Sequence, residues 1–401
     1  MDKKLRILVV SDLVVTTGFA RVAHSLIKYW KDDYEIIGVG VNFRGDPHDL
    51  GIPVYPASLG TSIYGESRVV DILNSGKIDL LFILNDSWVI NKYLQAIKQG
   101  VKQKLPGIVV YFPVDSREHD LDWYKNFDIV DRAVTYTEFG AKVIKQTEPV
   151  LTLDVIPHGT DTEVFYRKFE RKSDAKIHLF GENIKSVGNP EDAFIVLNAN
   201  RNQPRKKLDV TMRGFALFAK DKPNNVKLYM HCGIVDAHMN IAKLALRLGI
   251  DDRLIVSTDK KGVQSLPDSR LNEIYNACDV GINTSLGEGW GLVSVEHAMA
   301  YAAQIVPNHS ACAEIFSNCG LLIPTITDIT FDNSMTVGEL VTPEAAAEKL
   351  ELLYSDKEER NRLAKLSYDK FNSEEYSWKY IAGIWKQLFL EVLNEPNGVP
   401  K

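Results

Sequence analysis

The chain has 401 residues, 45% hydrophobic and 25% charged, the composition of an ordinary soluble protein whose length favours two domains, each with its own core. Its net charge of −6 supplies no global attraction to nucleic acid or an anionic membrane, although a local basic cleft fits within that average. No apolar run approaches the roughly 18 residues of a membrane span, and the one between Met1 and Val10 is too short for a signal peptide, so a cytoplasmic protein without stable membrane insertion is expected.

Short β-branched runs alternate with helical patterns, the signature of parallel sheets covered by helices on both faces. The first predicted strand, Leu5 to Ser11, empties into a loop from which Gly18 opens an amphipathic helix through Trp30. Such a loop can aim backbone N–H groups at a phosphate, and equally can be a plain strand-to-helix turn. The G-x-G-x-x-G pattern of dinucleotide dehydrogenases is absent, which argues against a redox enzyme. Further strands are predicted at Tyr34 to Asn42, Ile78 to Asn85, Gly107 to Pro113, Arg132 to Tyr136 and Leu153 to Pro157, making one Rossmann-like domain over residues 1–170. Lys98, Lys102 and Lys104 either border an anionic ligand or belong to a solvated loop.

Arg167 to Pro190, rich in Lys, Glu, Asn and Gly, breaks the alternation and reads as a linker. Strands resume at Ala193 to Ala199, Val226 to Cys232, Leu254 to Thr258, Val280 to Thr284, Ile305 to Pro307 and Leu321 to Pro324, a second domain of the same kind over residues 171–373. Arg201 and Lys206 follow its first strand and so belong at the carboxyl edge of the sheet, where open α/β folds bind ligands. Two cations there can neutralise a diphosphate, Arg201 by a bidentate fork and Lys206 as a point charge; a solvated basic turn is the plainer alternative.

The fourth strand of this domain runs into Glu288-Gly-Trp-Gly-Leu-Val-Ser-Val-Glu296, a glycine-rich turn followed by a helix. Gly287, Gly289 and Gly291 admit a ligand without Cβ clashes, and N–H groups at the helix start, near Leu292 and Val293, can hold a diphosphate. Glu296 lies about 7 Å along the axis at about 1.5 Å per residue, a separation that suits a pyrophosphate and a ribose diol. A carboxylate there can accept two hydroxyl hydrogen bonds, so the element suits a nucleotide sugar. Trp290 is either a core plug or a pocket wall.

The tail is predicted wholly helical: Pro343 to Leu353, Lys357 to Asn372, and Trp378 to Leu393, whose broad apolar stripe demands a partner surface and is expected on the first domain. Cys232, Cys278, Cys312 and Cys319 lack the paired spacing with histidines of a zinc site and read as reduced structural thiols, so no zinc is expected.

Taken together the chain resembles the retaining nucleotide-sugar glycosyltransferases of family four, which have the GT-B architecture. The matching segments are the Gly18 loop; Ile156-Pro-His-Gly-Thr-Asp161 with Phe165; Arg201 with Lys206 and Asp209; Glu288 to Ala300; Ser310, Ala313 and Glu314; and Ser377-Trp378 at the start of the last helix. The resemblance implies an α/β fold of two Rossmann-like domains facing a cleft, with the C-terminal helix, residues 374–401, crossing back to the N-terminal domain. It implies transfer of a hexose from a nucleotide sugar, UDP-sugar being the commonest donor, with retention and without a cofactor or metal. Glu296 would hold the donor ribose, Glu288 the sugar, Arg201 and Lys206 the diphosphate, and Gly18 would offer an N–H to the same phosphates from the opposite domain.

Two positions depart from that pattern. Asp115 stands where many relatives carry a histidine near the reacting sugar, and it either orients or deprotonates the acceptor hydroxyl or caps the next helix. His119 is a reserve candidate, whereas His158 reads as structural. Lys207 replaces the usual glycine. The acceptor stays open among polyols, glycans, lipids and hydroxymethylated DNA bases, as does the oligomeric state. A nucleotide-sugar epimerase and a non-catalytic sugar-nucleotide-binding subunit are the rival readings.

Overall fold

Strands buried on both faces read as unbroken apolar runs, and Leu80-Leu-Phe-Ile-Leu84 is such a run, fully inaccessible to solvent. It is a central strand of the first of two units in the computed structural model, which describes residues 4–60, 62–257, 266–332 and 334–394. That unit comprises Met1–Gly159, Asn333–Thr336 and Trp378–Lys401; the second comprises Thr160–Asp332 and Val337–Ser377.

In the first unit β1 (Arg6–Ser11), β2 (Glu35–Gly40), β3 (Val54–Pro56), β4 (Leu80–Leu84), β5 (Gly107–Phe112), β6 (Arg132–Thr135) and β7 (Leu153–Val155) pair in parallel in the order β3-β2-β1-β4-β5-β6-β7. The order reverses between β1 and β4, the switch point of a doubly wound sheet. The three-residue strand β3 escaped sequence reading: it is short, ends in Pro56 and sits at the sheet edge, where a missing N–H is tolerated. The helix Gly18–Trp30 starts at Thr17, whose hydroxyl accepts from the Ala20 N–H at 3.2 Å.

The C-terminal helix Trp378–Asn394 packs on this unit, as its apolar stripe required. Trp385 sits edge-on to Phe82 at 5.1 Å and Tyr111 at 4.8 Å, and Phe389 to Trp30 at 5.0 Å, so the stripe is covered by β4, β5 and the first helix.

The second unit carries β8 (Phe194–Asn198), β9 (Val226–Met230), β10 (Leu254–Val256), β11 (Val280–Ile282), β12 (Ala303–Pro307) and β13 (Leu321–Ile323), again parallel, in the order β10-β9-β8-β11-β12-β13. Thr258, expected at the end of β10, lies outside the described residues. An antiparallel hairpin, β14 (Thr325–Thr330) with β15 (Val337–Val341), was also not anticipated, because the half-exposed Thr-Ile-Thr-Asp-Ile-Thr segment offers little apolar signal.

The stretch Arg167 to Pro190 is not a linker. It folds into the helix Lys172–Phe180 and a 3₁₀ turn at Gly181–Ser186. Polar composition disguised it: Lys176, 2% exposed, is buried among core residues, and its ammonium meets Asp279 at 3.0 Å. A buried lysine with its partner in place behaves as core although it reads as surface.

Candidate functional site

In the second unit the strand order reverses between β8 and β11, which are neighbours in parallel register, Val280 beside Val196. The loops leaving their carboxyl ends therefore meet at a crevice, the place where doubly wound sheets take ligands. Lys206 comes from the loop after β8 and Glu288 from the loop after β11.

Each loop is fixed by its own hydrogen bonds. Beyond β8, Asn198 accepts from the Asn200 N–H at 3.0 Å and donates to Thr211 at 2.9 Å. A 3₁₀ turn, Pro204–Lys206, then leads to Lys207, which caps the helix Leu208–Ala219 in the left-handed region at φ 46°. A glycine would enter this conformation freely, whereas a Cβ is strained in it. The Thr284 hydroxyl donates to the Lys207 carbonyl at 2.9 Å and ties the two loops together.

At the centre Lys206 Nζ donates to Glu288 Oε1 at 2.5 Å, and the Ser285 hydroxyl donates to the same oxygen at 2.6 Å. Asn283 Nδ2 donates to it at 3.2 Å, Arg205 Nη1 stands 3.6 Å from Oε2, and the Glu288 N–H donates to Ser310 Oγ at 3.1 Å. The same Arg205 also donates to the Gly287 carbonyl. Burial opposes the charge on Glu288, but the Lys206 and Arg205 cations and the hydrogen bonds from Lys206 and Ser285 outweigh it and hold the carboxyl at about 2. Burial, with the neighbouring Arg205 charge, draws the Lys206 ammonium below its ordinary value. Ser310, like Lys207, is a left-handed residue other than glycine, at φ 51°, so two strained backbone positions flank this cluster.

Gly291 caps the helix Leu292–Ala298 at φ 90°, a left-handed turn that only glycine enters freely, and Leu292 and Val293 follow it half-buried. Glu296 is 7% exposed in this helix, and Tyr275 donates its hydroxyl to Oε2 at 2.9 Å. Gly289 is half-buried in the loop between the two carboxylates. Trp290, 5% exposed, lies 6.4 Å from the Tyr376 ring. Arg201 stands apart from Lys206: its Nε donates to Asp236 at 2.8 Å, and its side chain is half-exposed.

Of the residues named from sequence, the structure brings Lys206 and Glu288 into contact and sets Glu296 in the helix after the glycine turn, while their partners Arg205, Ser285 and Tyr275, and Asp236 on Arg201, were not named. Arg205 had a signal, being one residue from Lys206 in the same basic turn. The partners of Arg201 and Glu296 had none, because they come from separate loops and helices.

In the first unit Gly18 is exposed at the first position of its helix. Asp115, after β5, accepts from the Ser116 hydroxyl at 3.0 Å, while the cap of the next 3₁₀ turn is Asp120, so the capping role falls to another residue. His119 meets the Tyr124 hydroxyl at 2.7 Å, and burial lowers it to about 4 against the pull of Asp115. His158 is buried 2.8 Å from the Tyr111 hydroxyl, consistent with a structural role. Unanticipated is Asp12 at the end of β1, 6% exposed, which accepts from Thr17 at 2.8 Å and is raised above its ordinary value by burial.

Residues 180–370 match the family model "Glycosyl transferases group 1". Over 120 residues the chain is 32% identical to D-inositol 3-phosphate glycosyltransferase 2 of Catenulispora acidiphila, covering 28% of this chain and 26% of that protein. Over 176 residues it is 29% identical to D-inositol 3-phosphate glycosyltransferase of Acidothermus cellulolyticus, covering 41% of this chain and 36% of that one. The matches thus span 26% and 36% of the length of these curated relatives. Among solved structures, sucrose-phosphate synthase from Thermosynechococcus elongatus superposes with a TM-score of 0.75 at 16% identity over 97% of this chain and 99% of that one. HepE from Anabaena, in complex with UDP and glucose, gives 0.70 at 14% identity over 96% and 100%. These likenesses establish the fold, two Rossmann-like α/β domains of the GT-B class.

Proposed function

We propose that the chain is a glycosyltransferase that moves a hexose from a nucleoside diphosphate sugar to an acceptor hydroxyl with retention of configuration. The observation that carries this reading is the buried cluster of Lys206 and Arg205 on Glu288 at the strand-order reversal of the second unit. The group 1 match over residues 180–370 spans the same loops. A solved fold neighbour holding UDP and glucose supports uridine diphosphate as the nucleotide.

In this reading the C–O bond between the sugar and the diphosphate breaks, and negative charge grows on the leaving group. Lys206, Arg205 and the N–H groups beyond Gly291 supply fixed positive potential there without a bound metal ion. Glu296, oriented by Tyr275, accepts from the ribose hydroxyls, and Glu288 faces the sugar. Arg201 reaches the diphosphate by exchanging its Asp236 partner for phosphate oxygens. The acceptor oxygen attacks from the face the diphosphate leaves, its proton passes to the departing phosphate, and no protein nucleophile is needed. Gly18 and Asp115, in the first unit, are proposed for the donor phosphates and the acceptor hydroxyl respectively.

The test is a thermal-shift panel of nucleotide sugars, in which a ligand at 100 times its dissociation constant adds about 2.7 kcal/mol of stability. The best donor is then assayed for release of nucleoside diphosphate against polyol, glycan, lipid and modified-DNA acceptors. Glu296→Ala is expected to lose donor binding or turnover while keeping its melting transition; full activity in that variant refutes the assignment. Conversion of the donor without acceptor points instead to an epimerase, and binding without release to a non-catalytic subunit.

A further inference from the structure

A second cavity, of about 490 Å³, opens on the opposite edge of the same sheet, against Ala193 and Phe194 at the start of β8 and Asp279 just before β11. Its size falls within the range of small-molecule pockets, about 300–1,000 Å³. The helix Lys172–Phe180 points its first turn into it: Lys172, Ser173 and Lys176 are lining residues. The first N–H groups of a helix have no acceptors within it, and the Arg171 cap contributes no side-chain acceptor.

Ser173 is 4% exposed, and its hydroxyl has no hydrogen-bond partner among the described residues. A buried hydroxyl left unpaired is costly, and such groups call for a specific explanation. Ser173 lines a cavity whose wall carries Arg171 and Lys176, paired with Asp174 and Asp279, and also Arg167, Lys172, Lys357 and Arg360, none of which makes an ion pair with a carboxylate among the described residues, although Asp279 attracts Lys172 and Arg360 from farther away. Lys172 Nζ donates only to backbone oxygens, those of Ala300 at 3.0 Å and Tyr275 at 3.5 Å. Arg167 likewise donates to the carbonyls of Phe169 and Glu170 and lies 4.5 Å over the Tyr301 ring. Arg360 stacks 5.3 Å over Phe194 and donates to the Leu353 carbonyl, and Lys357 is exposed at the rim. The carboxylates on the wall are largely engaged: Asp279 by Lys176 at 3.0 Å and the Ile195 N–H at 2.8 Å, Glu191 by Arg171 at 3.6 Å, and Asp192 by Asn189 at 2.6 Å. Glu170 completes the acidic lining.

We propose that this cavity binds a small phosphate-bearing molecule, a phosphate monoester or diphosphate, whose oxygens accept from the Ser173 hydroxyl and the first N–H groups of the Lys172–Phe180 helix while Lys172, Lys357 and Arg360 neutralise its charge. Helix-start amides, a hydroxyl and unmatched cations converging on one hollow are the recognition chemistry of phosphate. The Tyr301 and Phe194 rings, already carrying guanidinium groups, give the remainder of the ligand apolar faces to rest on. The site is separate from the crevice of Lys206 and Glu288, which lies at the carboxyl edge of the strands, and it does not rest on the activity proposed there.

The probe is inorganic pyrophosphate added to the full chain, with hydrogen exchange read segment by segment against sodium chloride of equal ionic strength. Protection is expected over 172–180 and 357–364, separately from any over 201–206. Ser173→Ala and Lys357→Gln are each expected to weaken that protection about tenfold in apparent dissociation constant, the size of one hydrogen bond or contact to a charged oxygen. Without ligand, Ser173→Ala is expected to melt at or above the parent temperature, because it deletes an unpaired polar group. No protection at 172–180 with millimolar pyrophosphate, equal protection with chloride, or unaltered affinity in both variants overturns the proposal. So does a lower melting temperature of ligand-free Ser173→Ala, which would show the hydroxyl to be structurally satisfied.

Discussion

Lys207 and Lys206 are adjacent, and their substitutions are expected to have opposite effects on stability. At Lys207, φ 46° costs a side-chain-bearing residue about 1–2 kcal/mol, whereas glycine there pays about 0.5–1 kcal/mol in chain entropy. Lys207→Gly is therefore expected to be neutral or to stabilise by up to about 1 kcal/mol in urea unfolding; a loss above that size would mean the lysine side chain makes a stabilising contact. Lys206→Met removes the main counter-charge from Glu288, whose side chain is only 7% exposed. Breaking a buried pair from one side costs about 3–5 kcal/mol. Arg205, at 3.6 Å, remains as partial compensation, which places the expected loss at the lower end, about 3 kcal/mol. A Lys206→Met protein as stable as its parent would show that the pair contributes nothing to the fold. The individual groups were legible because each sat in a telling local context, a basic turn after a strand or a glycine-rich turn before a helix. Their pairing was not, since Lys206 and Glu288 are 82 positions apart and Arg201 and Asp236 are 35 apart.

Among the elements, the C-terminal helix depends most on one side chain. Trp385 is fully buried and touches the rings of Trp30, Phe82, Tyr111 and Phe389. Trp385→Ala is expected to cost about 3–5 kcal/mol, read as a lower urea midpoint of the first unit. Its indole N–H has no partner among the described residues, so Trp385→Phe, which deletes that group and keeps most of the packing, should cost less than about half as much. Equal losses in the two variants would place the energy in the part of the indole that phenylalanine lacks rather than in the general packing of a ring. This helix was readable because its apolar stripe is continuous at helical spacing. The Lys172–Phe180 helix was not, since it buries a lysine, and a polar residue made internal by a partner more than 100 positions away leaves no local trace. Strand β3 and the β14/β15 hairpin failed for a related reason: at an edge or half in solvent, a strand needs little apolar alternation.

For the whole molecule, the two sheets share one arrangement and also one vulnerability, to acid. Burial lowers His158 to about 3 and His119 to about 4 in the first unit, and His231 to about 4 in the second. Each is neutral when folded and takes up a proton near its ordinary value of 6.5 when unfolded. The unfolded chain therefore binds more protons between the two values, and stability falls as pH drops through 6.5 toward 4. A fully developed difference of one proton is worth about 1.4 kcal/mol per pH unit, so these three histidines together approach about 4 kcal/mol per unit near pH 5. Glu288 acts in the same direction but later: its stabilisation is complete above its ordinary 4.5 and is lost only as pH falls toward about 2. Integrated from pH 6.5 down to 5, each histidine costs about 2 kcal/mol, so the first unit loses about 4 kcal/mol through His158 and His119 and the second about 2 kcal/mol through His231, a sizeable part of a domain stability of about 5–15 kcal/mol before carboxylates protonate. Urea unfolding at about pH 7, 6 and 5, followed by tryptophan fluorescence, is expected to show a free energy that declines ever more steeply toward acid. A free energy that stays level from pH 7 to 5 would mean that these imidazoles are hydrated, or charged with partners, in the folded protein.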